Sequence, residues 1–575
     1  MRTLSYITAV LAISLSSVAL AADDETALKA DKTTQILIDT LVKQGVLDPN
    51  RARQIVEEAS TLAEEEVKRQ EREEAEGKTG VIRVPYVPNY VIEEVRSEIR
   101  DGMRGDVVQD ILAQAEYEGW GVPQALPLWI QRLNITGDIR FRVQSDLFSE
   151  DNTQDPAIPT FYQFVDFNKA NSNGSTADAF LNVTENRNRM RIRARLGIDA
   201  ELDRDTFASI RIATGSEGVP TSTNETLDGD FGSKELILDR AFVTYKHLDD
   251  FNFNWFTFYG GRMKNPFFKT DLVWDSDVNL DGVTGRFNFD FTDYDRGLHS
   301  KTMYVLLGAY SIDEISLSDD DKMLFAAQVA GKIKFPSQNV LKAGLAFYNY
   351  HNMTGVRSPV AGQNVFEYTA AGYVQKGNSM FNIRNTGDPA DTLFGLASDY
   401  DLLNLTMSYE IPFYPAFDWE EEPRFNAFRI IITADYVENI GYDAAEIRNR
   451  TGFCATCFLV NSSLLNSESV FEDQPENEQT TGYMLKVQLG VKKMLFSGDW
   501  QATFAYKSLE RDAVLDAFTD SDFHLGGTNA EGWVVGGKYA FDDNAWVQAR
   551  YLSADEITGP PLGIDVIQLD LVTRF

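Results

Sequence analysis

The chain has 575 residues, and 53 Lys and Arg against 87 Asp and Glu leave a net charge of −34. That balance argues against nucleic-acid binding, which needs clustered positive charge to displace phosphate counterions. Mean hydropathy is −0.27, and no uninterrupted apolar run of about 18 residues follows the N-terminal segment, so a helical membrane bundle is excluded.

Aromatics make up 12%, with 37 Phe and 23 Tyr but only 2 Cys and 4 His. The chain is rich in strand formers and poor in the usual metal ligands and nucleophiles. Its composition is too ordered for a disordered protein.

The first element is an export signal. Met1-Arg2 gives a positive start, Leu4 to Leu20 is apolar and small, and Ala19-Leu20-Ala21 has the small-x-small form of a cleavage site. Residues 1–21 therefore read as a signal peptide. A helical periplasmic neck is expected over 22–128. Ile36, Leu37, Leu41 and Val42 form a short apolar face, Asp48-Pro49 reads as an N-cap with proline at the first helical position, and the charged run Glu64–Glu74 carries pairs about one turn apart. This neck is a spacer, an oligomerising stalk or a cell-wall contact.

From Leu133 the period changes to two. Ile135, Gly137, Ile139, Phe141 and Val143 alternate with Thr136, Asp138, Arg140 and Arg142. Alternation puts one set of side chains on each face of a sheet. It continues to the C-terminus and predicts about sixteen strands, near 133–147, 184–202, 206–215, 235–246, 253–263, 282–291, 300–312, 322–336, 339–351, 399–413, 424–438, 480–496, 499–510, 532–541, 544–553 and 564–575. Short turns such as Asp203-Arg204-Asp205, Pro336-Ser337-Gln338 and Ser497-Gly498-Asp499 alternate with long polar loops near 148–183, 216–234, 264–281, 352–398 and 439–479. Long loops at one end only are expected of an outer-membrane barrel, and the sheet must close because lipid cannot satisfy backbone polar groups. The fold class is thus a closed antiparallel transmembrane β-barrel over 129–575. Ile567, Leu569 and Leu571 share one face of the last strand, and Phe575 ends it, in the manner of the signal read by barrel-assembly machinery.

Several strings resemble those of the putative porin family of Gram-negative outer-membrane barrels. Trp129 to Arg142, with Gly137-Asp138-Ile139-Arg140-Phe141-Arg142, is similar to its entry strand. Gly261 to Phe267 followed by Leu272-Val273-Trp274-Asp275-Ser276-Asp277 is similar to a second segment, and Ser521-Asp522-Phe523 with Gly526-Gly527-Thr528 resembles a late loop. The resemblance implies a channel and names no solute. By analogy with general porins it also implies a homotrimer in contact with outer-membrane lipids and lipopolysaccharide.

A pore constriction is expected from one row of cations. Arg187, Arg189, Arg191, Arg193 and Arg195 occupy alternate positions. Arginine on the lipid face at mid-bilayer costs about 2–4 kcal/mol, and five of them would exceed the margin of about 5–15 kcal/mol that holds a typical protein folded. The row must face the lumen, with Arg211 beside it. In general porins the third external loop folds inward with acidic groups facing a basic wall. Here that loop would supply Asp271, Asp275, Asp277 and Asp281, unless these acids serve only as wall-to-loop ion pairs.

Other constellations carry less. Asp277-Val278-Asn279-Leu280-Asp281-Gly282 begins like a calcium loop, but position twelve is Asn288 and the flanks are strands, so no metal or cofactor is expected. Cys454 and Cys457 in a long loop of an exported chain imply a disulfide. His247, His299, His351 and His524 read as surface residues. Trp255, Tyr259, Trp274, Trp500, Trp533 and Trp546 suit interfacial belts. No histidine sits at strand spacing with a serine partner, which argues against an enzyme. The functional expectation is a water-filled channel for passive diffusion of small hydrophilic solutes; the alternative is a structural link from membrane to cell wall.

Overall fold

The computed structural model describes residues 130, 132–152, 165–175, 179–249, 253–292, 300–316, 318–360, 362–385, 391–413, 428–451, 478–559 and 561–575. The export signal, the helical neck, His299 and the Cys454/Cys457 pair lie outside them.

Sixteen long strands follow the alternation: β1 Leu133–Phe148, β2 Arg187–Asp203, β3 Thr206–Thr214, β4 Leu236–Leu248, β5 Asn254–Lys264, β6 Asn279–Asp290, β7 Ser300–Asp313, β8 Lys322–Lys334, β9 Val340–His351, β10 Tyr400–Pro412, β11 Arg429–Asn439, β12 Thr481–Gly490, β13 Trp500–Leu509, β14 Ala530–Asp542, β15 Ala545–Glu556 and β16 Gly563–Arg574. Each pairs antiparallel with the next, and β1 pairs with β16 from Asp138↔Arg574 to Phe148↔Ile564, so the sheet closes without an edge. The twelfth strand stops at Gly490, short of the expected 496, because Gly490 turns to φ 106° and the chain leaves the ladder.

Parity along each strand decides what faces lipid. Ile139, Phe141 and Val143 of β1, Leu196 and Ile198 of β2, Leu403, Leu405 and Met407 of β10, and Ile567, Leu569 and Leu571 of β16 are all exposed. So many exposed large apolar side chains mark a membrane surface rather than a soluble one. Phe575 continues that outward register and is 64% exposed. Its N–H donates to the Gly137 carbonyl at 3.0 Å and its carbonyl accepts from the Gly137 N–H at 2.9 Å. Its ring covers Gly137, where a Cβ would lie 2.4 Å from Cζ. An aromatic over a glycine pins strand register.

The core sits inside the barrel, on the β5–β13 side. Leu306, Tyr310, Leu324, Tyr348, Leu402, Val437 and Met484 point inward and are buried under loop residues Phe267, Leu272, Trp274, Phe394 and Leu515. Loop 2 (215–235), loop 3 (265–278), loop 5 (352–399) and loop 7 (510–529) supply the cover. Loop 5 carries its own ribbon, Met380–Asn382 against Phe394–Leu396, which period-two reading of a Gly- and Asn-rich segment did not reveal. The lumenal face of β1–β4 is instead largely polar, as are Arg550, Gln568 and Asp570 of β15–β16, whose Leu552, Ile564 and Val566 form a second, smaller apolar cluster.

Candidate functional site: the lumenal wall and its loops

Arginines on β2 are brought inward by the parity that puts Met190, Leu196 and Ile198 outside. The expected row is a real wall, but most of it is balanced from within the wall. Asp138 of β1 accepts from Arg193 and Arg195, at 2.7 Å each. Arg189 meets Asp146 at 2.6 Å. Arg211 pairs with Asp239, and Arg187 lies exposed at the outer end of β2. The deepest member is Arg142, which is 0% exposed. Its Nε and Nη2 donate to the two carboxylate oxygens of Asp570 at 2.7 and 3.0 Å, and its Nη1 donates to Asp522 of loop 7 at 3.0 Å. Arg550 reaches the same Asp522. A planar fork holding two carboxylates fixes both geometry and charge.

Loop 3 places its four acids in four different settings. Asp277 is the one that meets the wall, 3.5 Å from Arg195. It also accepts from the Thr223 hydroxyl at 2.9 Å. Burial pushes its carboxyl up, and the Arg193 and Arg195 guanidiniums more than reverse that, leaving it below the usual range. Asp271 pairs with Lys507 of β13 at 3.0 Å, on the far side from the arginines. Asp275 accepts from the Ser521 and Asp277 N–H groups, at 2.9 and 2.8 Å. Asp281 belongs to β6, alternating with buried Leu280 and so outside the lumenal register; it is 49% exposed and pairs with Arg262 at 2.5 Å. Loop 3 therefore brings one of the four acids, not four, against the arginines. The calcium-like string is divided in the same way. The Asn279 amide donates to Asp239 at 2.8 Å, while Asp277 and Asp281 turn elsewhere, and no metal-ligating cluster occurs among the described residues.

Loop 7 clasps loop 3 from the other side. The Asp275 N–H donates to the Phe518 carbonyl at 2.7 Å. Trp274 stacks on Phe518 at 5.5 Å and meets Tyr348 edge-on at 5.5 Å. It is 1% exposed, so it is plug core and not a belt residue. Tyr259 also faces inward, opposite Thr284, whereas Trp255, Trp500 and Trp533 are exposed outside. His524 departs from the expected surface position. It is buried, with Nε2 3.0 Å from the Leu562 carbonyl; burial and the nearby Lys376 hold its ring well below the usual range. Loop 5 closes over loop 7 at Gly527, whose φ of 99° suits glycine and where a Cβ would lie 2.1 Å from the Lys376 carbonyl.

Two carboxyls of this clasp are pushed toward neutrality. Burial, then repulsion from Asp520 and Asp277, pushes the Asp275 carboxyl up to about 8. The ordinary value is about 3.9. Between the two the folded chain holds a proton that the unfolded chain has lost, so stability falls as pH rises. The contribution is full below about pH 4 and gone once pH passes about 8. Asp516, pushed up to about 7 by burial, acts in the same direction, so the variant isolates Asp275. Between pH 6 and 9 the thermal midpoint is expected to fall more in the wild type than in Asp275→Asn. Equal falls would contradict this assignment.

Sequence reasoning missed Asp138, Asp146, Asp239, Asp522, Asp570 and Arg550 as partners of the wall. Asp570 had a signal, since it alternates with Leu569 and Leu571. Asp239 had none: the ladder between β3 and β4 shifts between Arg211 and Ile212, which lets Asp239 join Arg240 on the lumenal side.

A family model described as "Putative porin" matches residues 31–575. Among solved structures, the chain is similar to the outer membrane channel DcaP of Acinetobacter baumannii, with 13% identity over 77% of this chain and 97% of that one and a TM-score of 0.36. It is similar to OprB of Pseudomonas putida, in its high-pH structure, with 9% identity over 78% and 95% and a TM-score of 0.40. The trimer form of the outer membrane protein OmpT of Vibrio cholerae matches with 11% identity over 77% and 99% and a TM-score of 0.34. No curated protein matches the chain.

Proposed function

From the premise that the chain belongs to the "Putative porin" family of outer-membrane β-barrels, we propose that it is a water-filled channel for passive diffusion of small hydrophilic solutes, with a preference for anions. The solute path runs along the arginine wall, because the opposite half of the lumen is filled by the apolar contacts of loops 3, 5 and 7. We place its constriction beside the group formed by Arg193, Arg195 and Asp277, where loop 3 meets the wall.

The observation that carries the preference is a residue of unmatched positive charge. Arg191, Lys486 of β12 and Lys538 of β14 all occupy lumenal positions. Among the described residues none of the three forms an ion pair. Most of the arginines around them are paired with wall carboxylates. A low-dielectric wall carrying excess cations raises the local concentration of anions.

In a KCl gradient the reversal potential is expected to show chloride more permeant than potassium. The triple variant Arg191→Gln, Lys486→Gln, Lys538→Gln is expected to bring the permeability ratio close to one. A wild type selective for potassium, or a triple variant with unchanged selectivity, would remove these cations from the mechanism.

The same reading assigns residues 1–21 to a cleaved signal and 22–128 to a periplasmic neck, with Phe575 as the assembly signal. It takes the working unit as a homotrimer seated among lipopolysaccharide molecules. Cys454 and Cys457 would close a disulfide in an external loop. The analogy to general porins and the export-type start of the sequence support these assignments.

A further inference from the structure

Loop 2 does not simply cross the mouth of the barrel. Glu225–Thr226 forms a short strand that pairs with Arg191 and Ile192 of β2, extending the wall above β3. Ser222 and Asn224, just before it, lean on the arginines. Arg140 donates to the Asn224 side-chain oxygen. Arg191 Nη2 lies 3.3 Å from both the Ser222 hydroxyl and the Asn224 carbonyl.

The two Arg191 bonds are long and go to neutral acceptors. Guanidinium groups bound to oxyanions sit at about 2.7–2.9 Å. The nearest carboxylate to Arg140 is Asp570, at 4.0 Å. The Nε atoms of Arg140, Arg189 and Arg191 are all buried without a hydrogen-bond partner. Buried donors left unsatisfied are costly, and Arg191 is the member of this group that lines a cavity.

A cavity of about 340 Å³ lies here, lined by Arg191, Ser222, Asn224, Glu225, Thr226 and Asp228, with Val219 as its apolar member. We propose that it is a binding site for a small polyhydroxylated anion, a sugar acid or sugar phosphate. The carboxylate or phosphate docks on Arg191. The hydroxyl tail donates to the oxygens of Ser222, Thr226, Glu225 and Asp228. Two exclusions give the site its specificity. A neutral sugar leaves the arginine donors unmatched. A dicarboxylate without hydroxyls sets its second charge against Glu225 and Asp228. The site rests on the anion-channel reading and deepens it, by naming which anions the channel retains.

Titration calorimetry on the detergent-folded full chain tests this with gluconate, glucose 6-phosphate, succinate, glucose and inorganic phosphate. Gluconate or glucose 6-phosphate is expected to bind saturably and at least about tenfold more tightly than succinate, glucose or phosphate; the tighter of the two identifies the head group. Arg191→Gln is expected to weaken that binding about tenfold or more, the scale of one lost hydrogen bond to charge. Asp228 is exposed and pairs with Lys234 at 3.1 Å, so Asp228→Asn is safe for folding. It is expected to narrow the gap between gluconate and succinate by several fold. No saturable binding, succinate binding as tightly as gluconate, or affinities unmoved in both variants would overturn the proposal. Calorimetry does not require conduction. A barrel that conducts but does not bind loses only this site, and one that binds but does not conduct loses only the channel reading.

Discussion

Arg142→Ala is expected to lower the stability of the barrel by about 3–5 kcal/mol, the scale for removing one partner of a buried ion pair. Arg142 is the fully buried centre of a group that ties β1 to Asp570 of β16 and to Asp522 of loop 7. These are also the strands that close the cylinder. Without the guanidinium, two carboxylates face each other across the seam. Burial favours the neutral form of Asp522, and Arg142, Arg550 and Arg140 together hold it well below the usual carboxylate range. The variant strips away the first of those cations. The expected readout is a lower denaturation midpoint and earlier loss of the heat-resistant folded band. Asp522→Asn should cost less, because Asp570 keeps its partner and loop 7 retains the Asp275–Ser521 contact. A midpoint unchanged in Arg142→Ala would show that the seam does not depend on this group.

The second large effect is expected at Trp274. Truncation of a buried large aromatic costs about 3–5 kcal/mol. Trp274 touches Tyr348, Tyr350 and Phe518, so it joins loop 3, β9 and loop 7. Trp274→Ala would therefore loosen the filling of the lumen more than the wall, which is held by backbone ladders. Single-channel conductance is expected to rise and to become noisier, while the strand content in circular dichroism stays the same. Trp274→Phe should recover most of the closed packing. A variant with unchanged conductance would mean that loop 3 does not restrict the passage.

How much of this was legible depends on range. Strands were readable because the period is local: Met190, Ile192, Leu196 and Ile198 declare a lipid face within one strand, and the arginines between them must then face water. Neighbouring-strand pairs were within reach for the same reason, as with Asp138 and Arg195. The loops were not, because their partners are remote in sequence. Asp271 meets Lys507 across 236 positions, and Asp275 meets Ser521 across 246. Nothing local distinguishes an acid that faces the wall, as Asp277 does, from one held inside the clasp, as Asp275 is. Trp274 illustrates the same limit. Beside a strand end it reads as an interfacial aromatic, and only the inward fold of loop 3 turns it into core. The pairing of arginines with Asp138, Asp146, Asp239 and Asp570 changes the electrostatic picture from a bare cationic row to a partly compensated wall in which Arg191, Lys486 and Lys538 have no ion-pair partner among the described residues. It is to that remainder, rather than to the row, that the proposed anion preference is assigned.

The most direct measurement is single-channel recording of the purified, folded chain in a planar bilayer with KCl on both sides. Stepwise, ohmic current is expected, with the steps enlarged in Trp274→Ala. A silent bilayer from protein that still shows a heat-resistant, strand-rich barrel would contradict the account at its base.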